Sequence, residues 1–287
     1  MSDLLALRDL DADAIRQILA LSERSPRAKP LQGRGIALYF EKPSARTRNS
    51  MEMAAVQLGA HPVSIQKDEV GLGTRETAED VARTLACYHS VIAARVHDHL
   101  ILERMAGAVE TPVLNMLSNS DHPLQGLADL LTIQQLLGRI EGVRVAYVGD
   151  ANNVARSLAE GCTLLGAEFV IAGPDGHRFA RPPAGVRQTG DPHEAVEGAD
   201  IVYTDVWVSM GQSQQGDTTR TFAPYQVDAA LMARSPDAWF MHCLPAHRGE
   251  EVTDEVIDGP RSVVWRQAEN RMHSARGALA WMLGVQP

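Results

Sequence analysis

The sequence predicts an α/β protein of two doubly wound parallel-sheet domains joined by helices, and three observations carry that prediction. Short apolar runs, among them residues 36–40, 91–96 and 143–148, alternate with longer segments whose apolar residues recur at helical spacing. Repeated strand-then-helix order builds parallel strands, because each connection has to return the chain across a face of the sheet. The alternation is interrupted by a long apolar helix opening at Pro123 and then begins again, which gives two halves.

In chain order, residues 12–22 carry Ile15, Ile18, Leu19 and Leu21 at roughly helical spacing, an amphipathic helix before the polar loop 23–35. The run 36–40 reads as a buried strand that Pro43 stops. Ser44 is placed to cap a helix whose apolar positions are Met51, Ala54, Ala55 and Leu58, with Gly59 ending it. A short strand at 62–65 leads into the loop 69–77, whose two glycines point to mobility, and a helix follows over about 77–88. Residues 91–96 form a strand delivering Arg95, a helix covers roughly 99–105, and 112–117 is the next strand. Asp121 is placed to cap the helix that begins at Pro123, runs through Leu127, Leu130, Leu131 and Leu136, and closes at Gly138. That helix is long and apolar enough to link two domains.

The second half opens with a strand at 143–148, a turn at 149–153, a helix to about Leu165 and a strand at 169–172. A Pro-rich loop at 181–185, a short helix at 192–196 and a buried strand at 201–207 come next. The Gly- and Gln-rich loop 209–219 is longer than most connections. A helix near 225–233, strands at 239–244 and 262–265, and a final helix over about 270–283 complete the chain.

With 287 residues, 45% of them hydrophobic, the chain can bury substantial cores. Its net charge of −9 and scattered lysines and arginines argue against nucleic acid as a partner. No leader pattern and no bilayer-length apolar run is present, so the expectation is a soluble, cytoplasmic protein with no membrane partner. Cys87, Cys162 and Cys243 are odd in number and far apart, which fits a reducing compartment.

In open parallel sheets ligands bind beyond the carboxyl ends of strands, and Ser44, Arg95, His122, Asn153, Asp205 and Cys243 all fall there. Arg46, Thr47 and Arg48 lie in the first turn after Ser44. Cations sit poorly with the helix dipole at that end, so an external anion is expected to compensate them; a solvated arginine pair is the plainer alternative. His122 and Gln125 could polarise a carbonyl and its amine substituent, or form an ordinary surface cap. The turn Gly149-Asp-Ala-Asn-Asn lacks the dinucleotide fingerprint, since Ala151 and Val154 stand at the later glycine positions. Asp205 suits an ammonium group. His242, Cys243 and His247 lie close together, but no second cluster has zinc-like spacing, so no metal is expected. Cys243 reads either as a nucleophile lacking an identified base or as a buried thiol.

Together these stretches resemble the aspartate and ornithine carbamoyltransferase family over nearly the whole chain and in the family's order. They are Ser44-Ala-Arg-Thr-Arg48, Arg95, His122-Pro-Leu-Gln125, Asn152-Asn153, Asp205-Val-Trp-Val-Ser-Met-Gly211, His242-Cys-Leu-Pro245 and Glu269-Asn-Arg-Met272. The Ser-Met-Gly loop and His-Cys-Leu-Pro look like the ornithine branch. The resemblance implies a carbamoyl-phosphate-binding domain over 1–135, an ornithine-binding domain over 136–269, and a C-terminal helix, 270–287, returning to the first domain. It implies transfer of a carbamoyl group from carbamoyl phosphate to the δ-amine of L-ornithine, in arginine metabolism, with no cofactor and no metal.

By the same resemblance Ser44, Arg46, Thr47 and Arg48 would hold the phosphate, and Thr47, Arg95 and His122 would polarise the carbamoyl oxygen. Gln125, the carbonyls of Cys243 and Leu244, and Arg271 would orient the carbamoyl group; Arg95, His122, Cys243 and Arg271 form the catalytic set. Asn153, Asp205, Ser209 and the Met210 backbone would bind the α-amino and α-carboxylate groups of ornithine, with Cys243 beside its side chain. Members of the family are trimers or larger, and 69–77 looks like the loop that completes a neighbour's site. The sequence departs from the family's usual pattern at Gly71, where glutamine is common, and at Ala45 and Leu124 beside the motif residues.

Overall fold

The computed structural model describes residues 2–24, 29–207 and 218–287. The chain divides into two compact units, one of Met1–Leu131 with Asn270–Pro287 and the other of Thr132–Glu269. Both units are α/β, and among the described residues each has one all-parallel sheet.

The first unit contains α1 (Ala12–Glu23), β1 (Gly35–Phe40), α2 (Ala45–Gln57), β2 (His61–Gln66), α3 (Lys67–Val70), α4 (Ala78–Ala86), β3 (His89–Arg95), α5 (His99–Ala108), β4 (Val113–Leu117) and the start of α6 (Pro123–Leu137). Its strand order is β2-β1-β3-β4. On one face Ala37, Tyr39, Ile92 and Ala94 pack with Val81, Ala82 and Leu85 of α4 and Leu102 and Met105 of α5. Leu38, Phe40 and Ala93, which alternate with them, are equally buried, so the strands read as continuous apolar runs.

The second unit holds β5 (Arg144–Val148), α7 (Asn153–Leu164), β6 (Glu168–Ala172), β7 (Arg187–Thr189), α8 (Pro192–Val196), β8 (Ile201–Thr204), α9 (Thr218–Phe222), α10 (Ala229–Met232), β9 (Trp239–His242) and α11 (Asp254–Ile257), with strand order β7-β6-β5-β8-β9. Ala146, Val148, Val170, Val202 and Phe240 form its core with Val196, Leu231, Val256 and Ile257. In both sheets the chain winds outward from the first strand and then crosses to its other side. The strand order therefore reverses between β1 and β3 and between β5 and β8, and those switch points are where a crevice opens beyond the strand ends.

The last helix, α12 (Val264–Met282), enters the first unit at Asn270. Arg276 anchors it there, donating from Nη2 to the carbonyls of Ser22 at 2.6 Å and Arg24 at 2.8 Å and from Nη1 to Gln57 Oε1 at 2.7 Å. Gly277 makes the approach possible, since a Cβ there would come within 2.6 Å of the Ile18 carbonyl oxygen.

Several elements differ from the expectation. Residues 262–265 are not a strand: Ser262 makes an isolated bridge to Phe240, and α12 already opens at Val264. The apolar run misled because Val264 and Gln267 are buried at helical spacing while Trp265 is 65% exposed. The helix near 225–233 is broken, with Val227 bridged to Val252 and Asp228 capping the single turn of α10. Asp121 does not act as a cap for α6 in the way expected; its carboxylate is engaged by Arg8 and Ser120. In the loop 69–77 both glycines take left-handed backbone, Gly71 as the C-cap of α3 and Gly73 within a turn closed by its N–H to the Glu76 carbonyl. Strand β7, three residues long at the sheet edge, has too little pattern to be read from sequence. Among the described residues no helix is long and apolar enough to cross a membrane.

Candidate active site

In the first unit, β1 ends just before Ser44, the N-cap of α2. The Ser44 hydroxyl accepts from the Thr47 N–H at a long 3.4 Å and donates to Thr47 Oγ1 at 3.2 Å. Thr47 is buried in the first turn, whereas Arg46 and Arg48 beside it are exposed. Arg48 Nε donates to Glu52 Oε1 at 2.8 Å one turn on, and the Ser64 hydroxyl donates to the same oxygen at 2.6 Å. These two hydrogen bonds, that of Ser64 first, hold the Glu52 carboxyl below its usual range.

Two more guanidinium groups meet at Thr47. Arg95, at the end of β3, donates to its Oγ1 from Nη1 at 3.2 Å, and Arg271, on α12, does so from Nη2 at 3.3 Å. Both arginines are only 6% exposed. Burial, followed by the charges of Arg271 and Arg46, pushes Arg95 down to about 10. Like charges brought together out of water repel strongly, so this cluster is built for a ligand of opposite charge. His122 stands at the entry to α6, its carbonyl accepting from the N–H groups of Gln125 and Gly126. Burial and then the charges of Arg271 and Arg95 hold its imidazole well below the usual histidine range, so it is neutral near pH 7. Arg271 Nη1 also donates to Gln125 Oε1 at 2.7 Å.

In the second unit Asn152 caps α7 fully, its Oδ1 accepting from the N–H groups of Val154 at 2.9 Å and Ala155 at 3.0 Å. Its Nδ2 donates to Asp205 Oδ2 at 2.8 Å. The other oxygen, Oδ1, accepts from the Val206 N–H at 2.8 Å and from Cys243 Sγ at 2.9 Å. Asp205 is thus a buried carboxylate fixed by three neutral donors at the end of β8. Asn153 is the first residue of α7, and Leu244, with φ of 59°, turns the chain after β9. The Leu244 N–H donates to His242 Nδ1 at 2.8 Å. Asp150, paired with His177 at 2.9 Å, has its carboxyl pushed up by burial.

The structure therefore joins Ser44, Thr47, Arg95, Gln125 and Arg271 by hydrogen bonds and sets Asp205 against Cys243. Arg48 is turned toward Glu52, and Ser209 and Met210 lie outside the described residues. Sequence reading passed over Asn152 as the partner of Asp205, the Arg8–Asp121 pair beside His122, and Asp129, which contacts Gln125. The available signal was an acid four residues from Gln125 for Asp129 and an amide next to Asn153 for Asn152; Arg8 has none.

Two groups among the described residues bring metal-ligating atoms close together, Asp205 with His242 and Cys243, and His247 with Glu250 and Glu251. In the first, His242 Nδ1 accepts from Leu244 and Nε2 lies 3.1 Å from the buried Glu251 carboxylate, so neither ring nitrogen turns a lone pair toward an ion.

The cationic cluster at the switch point of the first sheet suits a phosphorylated donor, and the held carboxylate at that of the second suits an amino acceptor, which is the chemistry of a group-transfer enzyme. Residues 2–135 match the carbamoyl-P binding domain, and 141–282 the Asp/Orn binding domain, of aspartate/ornithine carbamoyltransferases, and the chain belongs to that family. It is 48% identical over 304 aligned positions to the ornithine carbamoyltransferase of Hyperthermus butylicus, covering 98% of this chain and 97% of that one. The anabolic enzyme of Pyrococcus furiosus is 45% identical over 98% of this chain and 96% of its own. Among solved structures, ornithine carbamoyltransferase from P. furiosus superposes with a TM-score of 0.93 at 43% identity, covering 99% of this chain and 97% of that one. The enzyme from Thermus thermophilus gives 0.90 at 42%, with 98% of each covered.

Proposed function

We propose that the chain transfers the carbamoyl group of carbamoyl phosphate to the δ-amine of L-ornithine, giving L-citrulline and phosphate, as a step of arginine biosynthesis. The observation that carries the reading is the convergence of buried Arg95 and Arg271 on Thr47 at the start of α2. Ser44, Arg46, Thr47 and Arg48 bind the phosphate there, where helix N–H groups and positive charge both face an anion. Arg48 exchanges part of its contact with Glu52 for the ligand. Thr47, Arg95 and neutral His122 donate to the carbamoyl oxygen, and the negative charge that grows on it in the tetrahedral intermediate strengthens all three hydrogen bonds. Gln125, Arg271 and the carbonyls of Cys243 and Leu244 orient the carbamoyl group.

Asn153, Asp205, Ser209 and the Met210 backbone bind the α-amino and α-carboxylate groups of ornithine, with Cys243 beside its side chain. The neutral δ-nitrogen attacks the carbamoyl carbon, the carbon–oxygen bond to phosphate breaks, and the departing phosphate takes the proton that nitrogen loses. An amine of this kind is mostly protonated near pH 7, so proton loss belongs to the chemistry. In domain terms, 1–135 with 270–287 serves carbamoyl phosphate and 136–269 serves ornithine. The protein acts in the cytoplasm as a trimer or a multiple of trimers.

The test is citrulline formation from carbamoyl phosphate with ornithine, set beside an acylated ornithine and putrescine. Turnover restricted to ornithine is expected. Preference for another amine, or binding of carbamoyl phosphate without turnover, would overturn the assignment.

A further inference from the structure

Gln125 is 1% exposed in the first turn of α6, and both ends of its amide are engaged. Oε1 accepts from Arg271 Nη1 at 2.7 Å, while Nε2 donates to Asp129 Oδ1 at 2.8 Å. A guanidinium only donates and a carboxylate only accepts, so this pair of partners leaves the amide one orientation. Asp129 is fully buried four residues along the same helix, the spacing at which two side chains meet on one face. None of the ligand contacts assigned above uses it.

We propose that Asp129 is a positioning residue for the carbamoyl group: its carboxylate holds the Gln125 amide so that the acceptor Oε1 faces Arg271 and the amine of the ligand. This rests on the reading of the first unit as a carbamoyl phosphate site. Oε1 has a second lone pair, which suits a carbamoyl N–H. With the amide reversed, Nε2 would point a donor at the Arg271 donor and at the carbamoyl amine, losing both contacts. The orientation of one buried amide thereby separates carbamoyl phosphate from plain phosphate, and Asp129 sets that orientation without touching the ligand.

Asp129→Asn keeps the volume but presents either a donor or an acceptor, so Arg271 alone is left to hold the orientation. Calorimetric titration of the full chain should show carbamoyl phosphate binding weakened about five- to tenfold, as for a charge-assisted hydrogen bond made neutral. Binding of inorganic phosphate, which has no amine to orient, should stay within about twofold. Gln125→Glu should also weaken carbamoyl phosphate binding, because it sets two carboxylates against each other. The double variant, Asp129→Asn with Gln125→Glu, exchanges the two roles: the amide now at position 129 donates to the carboxylate now at position 125, which still accepts from Arg271. It should regain most of the lost affinity at unchanged net charge. Equal loss of both ligands in Asp129→Asn, no loss of either, or no recovery in the double variant would overturn the role of Asp129. Failure of the unmodified chain to bind carbamoyl phosphate would instead overturn the functional reading.

Discussion

Each sheet delivers a helix N-terminus at its switch point, α2 after β1 and α7 after β5, yet the two starts are finished differently. At α7 the Asn152 side chain accepts from two backbone N–H groups at 2.9 and 3.0 Å, and its amide goes to Asp205. At α2 the Ser44 hydroxyl makes a single 3.4 Å bond to the Thr47 N–H, and the first turn carries Arg46 and Arg48. One start is closed by two well-formed cap bonds and the other by one long bond, as a start that receives the proposed phosphate would be. On the proposed function, the same architecture would serve an anion in one unit and an ammonium group in the other, and the choice would lie in the cap.

The sharpest way to break this comparison is to remove one charge from each unit. Asp205→Ala should lower kcat/KM for ornithine about a hundred- to thousandfold, the scale of a lost buried charge pair of roughly 3–4 kcal/mol, with KM for carbamoyl phosphate nearly unchanged. Arg48→Ala should raise KM for carbamoyl phosphate about tenfold and leave ornithine binding alone, since Arg48 is exposed and already shared with Glu52. Steady-state kinetics with both substrates varied checks the pair. Damage to the opposite substrate in each case would dissolve the division of labour between the units.

His122→Gln tests the neutral donor of the first unit. Loss of one hydrogen bond to a developing oxyanion should lower kcat by about a hundredfold. It should also change stability with pH. In the folded chain, burial, Arg271 and Arg95 depress the His122 pKa, whereas in the unfolded chain histidine takes a proton near 6.5. The unfolded state then binds more protons below about pH 6.5, so stability that is present above that pH is lost as pH falls toward the folded value. The variant should lose less, by up to about 1.4 kcal/mol per pH unit, in urea unfolding between pH 6.5 and 5. His89, also depressed by burial, remains in both proteins, so part of the slope should persist. An unchanged slope would mean that His122 is not held neutral by the fold.

How far the sequence carries such an account depends on the range of the interaction. Strand runs such as 36–40 and the Ser44 cap are local, and both are legible from residues a few positions apart. The expectation of an anion at α2 has the same local source, because arginines in a first turn contradict the helix dipole. The meeting of Thr47 with Arg271 joins residues 224 positions apart, and only the family resemblance pointed to it. Asp121 shows the opposite error: its local pattern says cap, but Arg8, 113 residues away, takes the carboxylate. The run at 262–265 failed because three apolar residues fit a strand and a helix start equally well, and packing of Val264 and Gln267 decided it.

The smallest expected effects separate the two caps most directly. Asn152→Ala removes two well-formed cap bonds and a donor to Asp205, so it should cost about 1–2 kcal/mol of stability in urea unfolding. Ser44→Ala removes one long bond and should cost less, about 0.5 kcal/mol. In ligand binding the order should reverse, because Ser44 stands where the phosphate is expected and Asn152 has its oxygen committed to the helix. Ser44→Ala should weaken inorganic phosphate binding about three- to fivefold, and Asn152→Ala should leave it unchanged. If both variants lost stability equally and neither lost phosphate affinity, the open start of α2 would be a weak cap and nothing more.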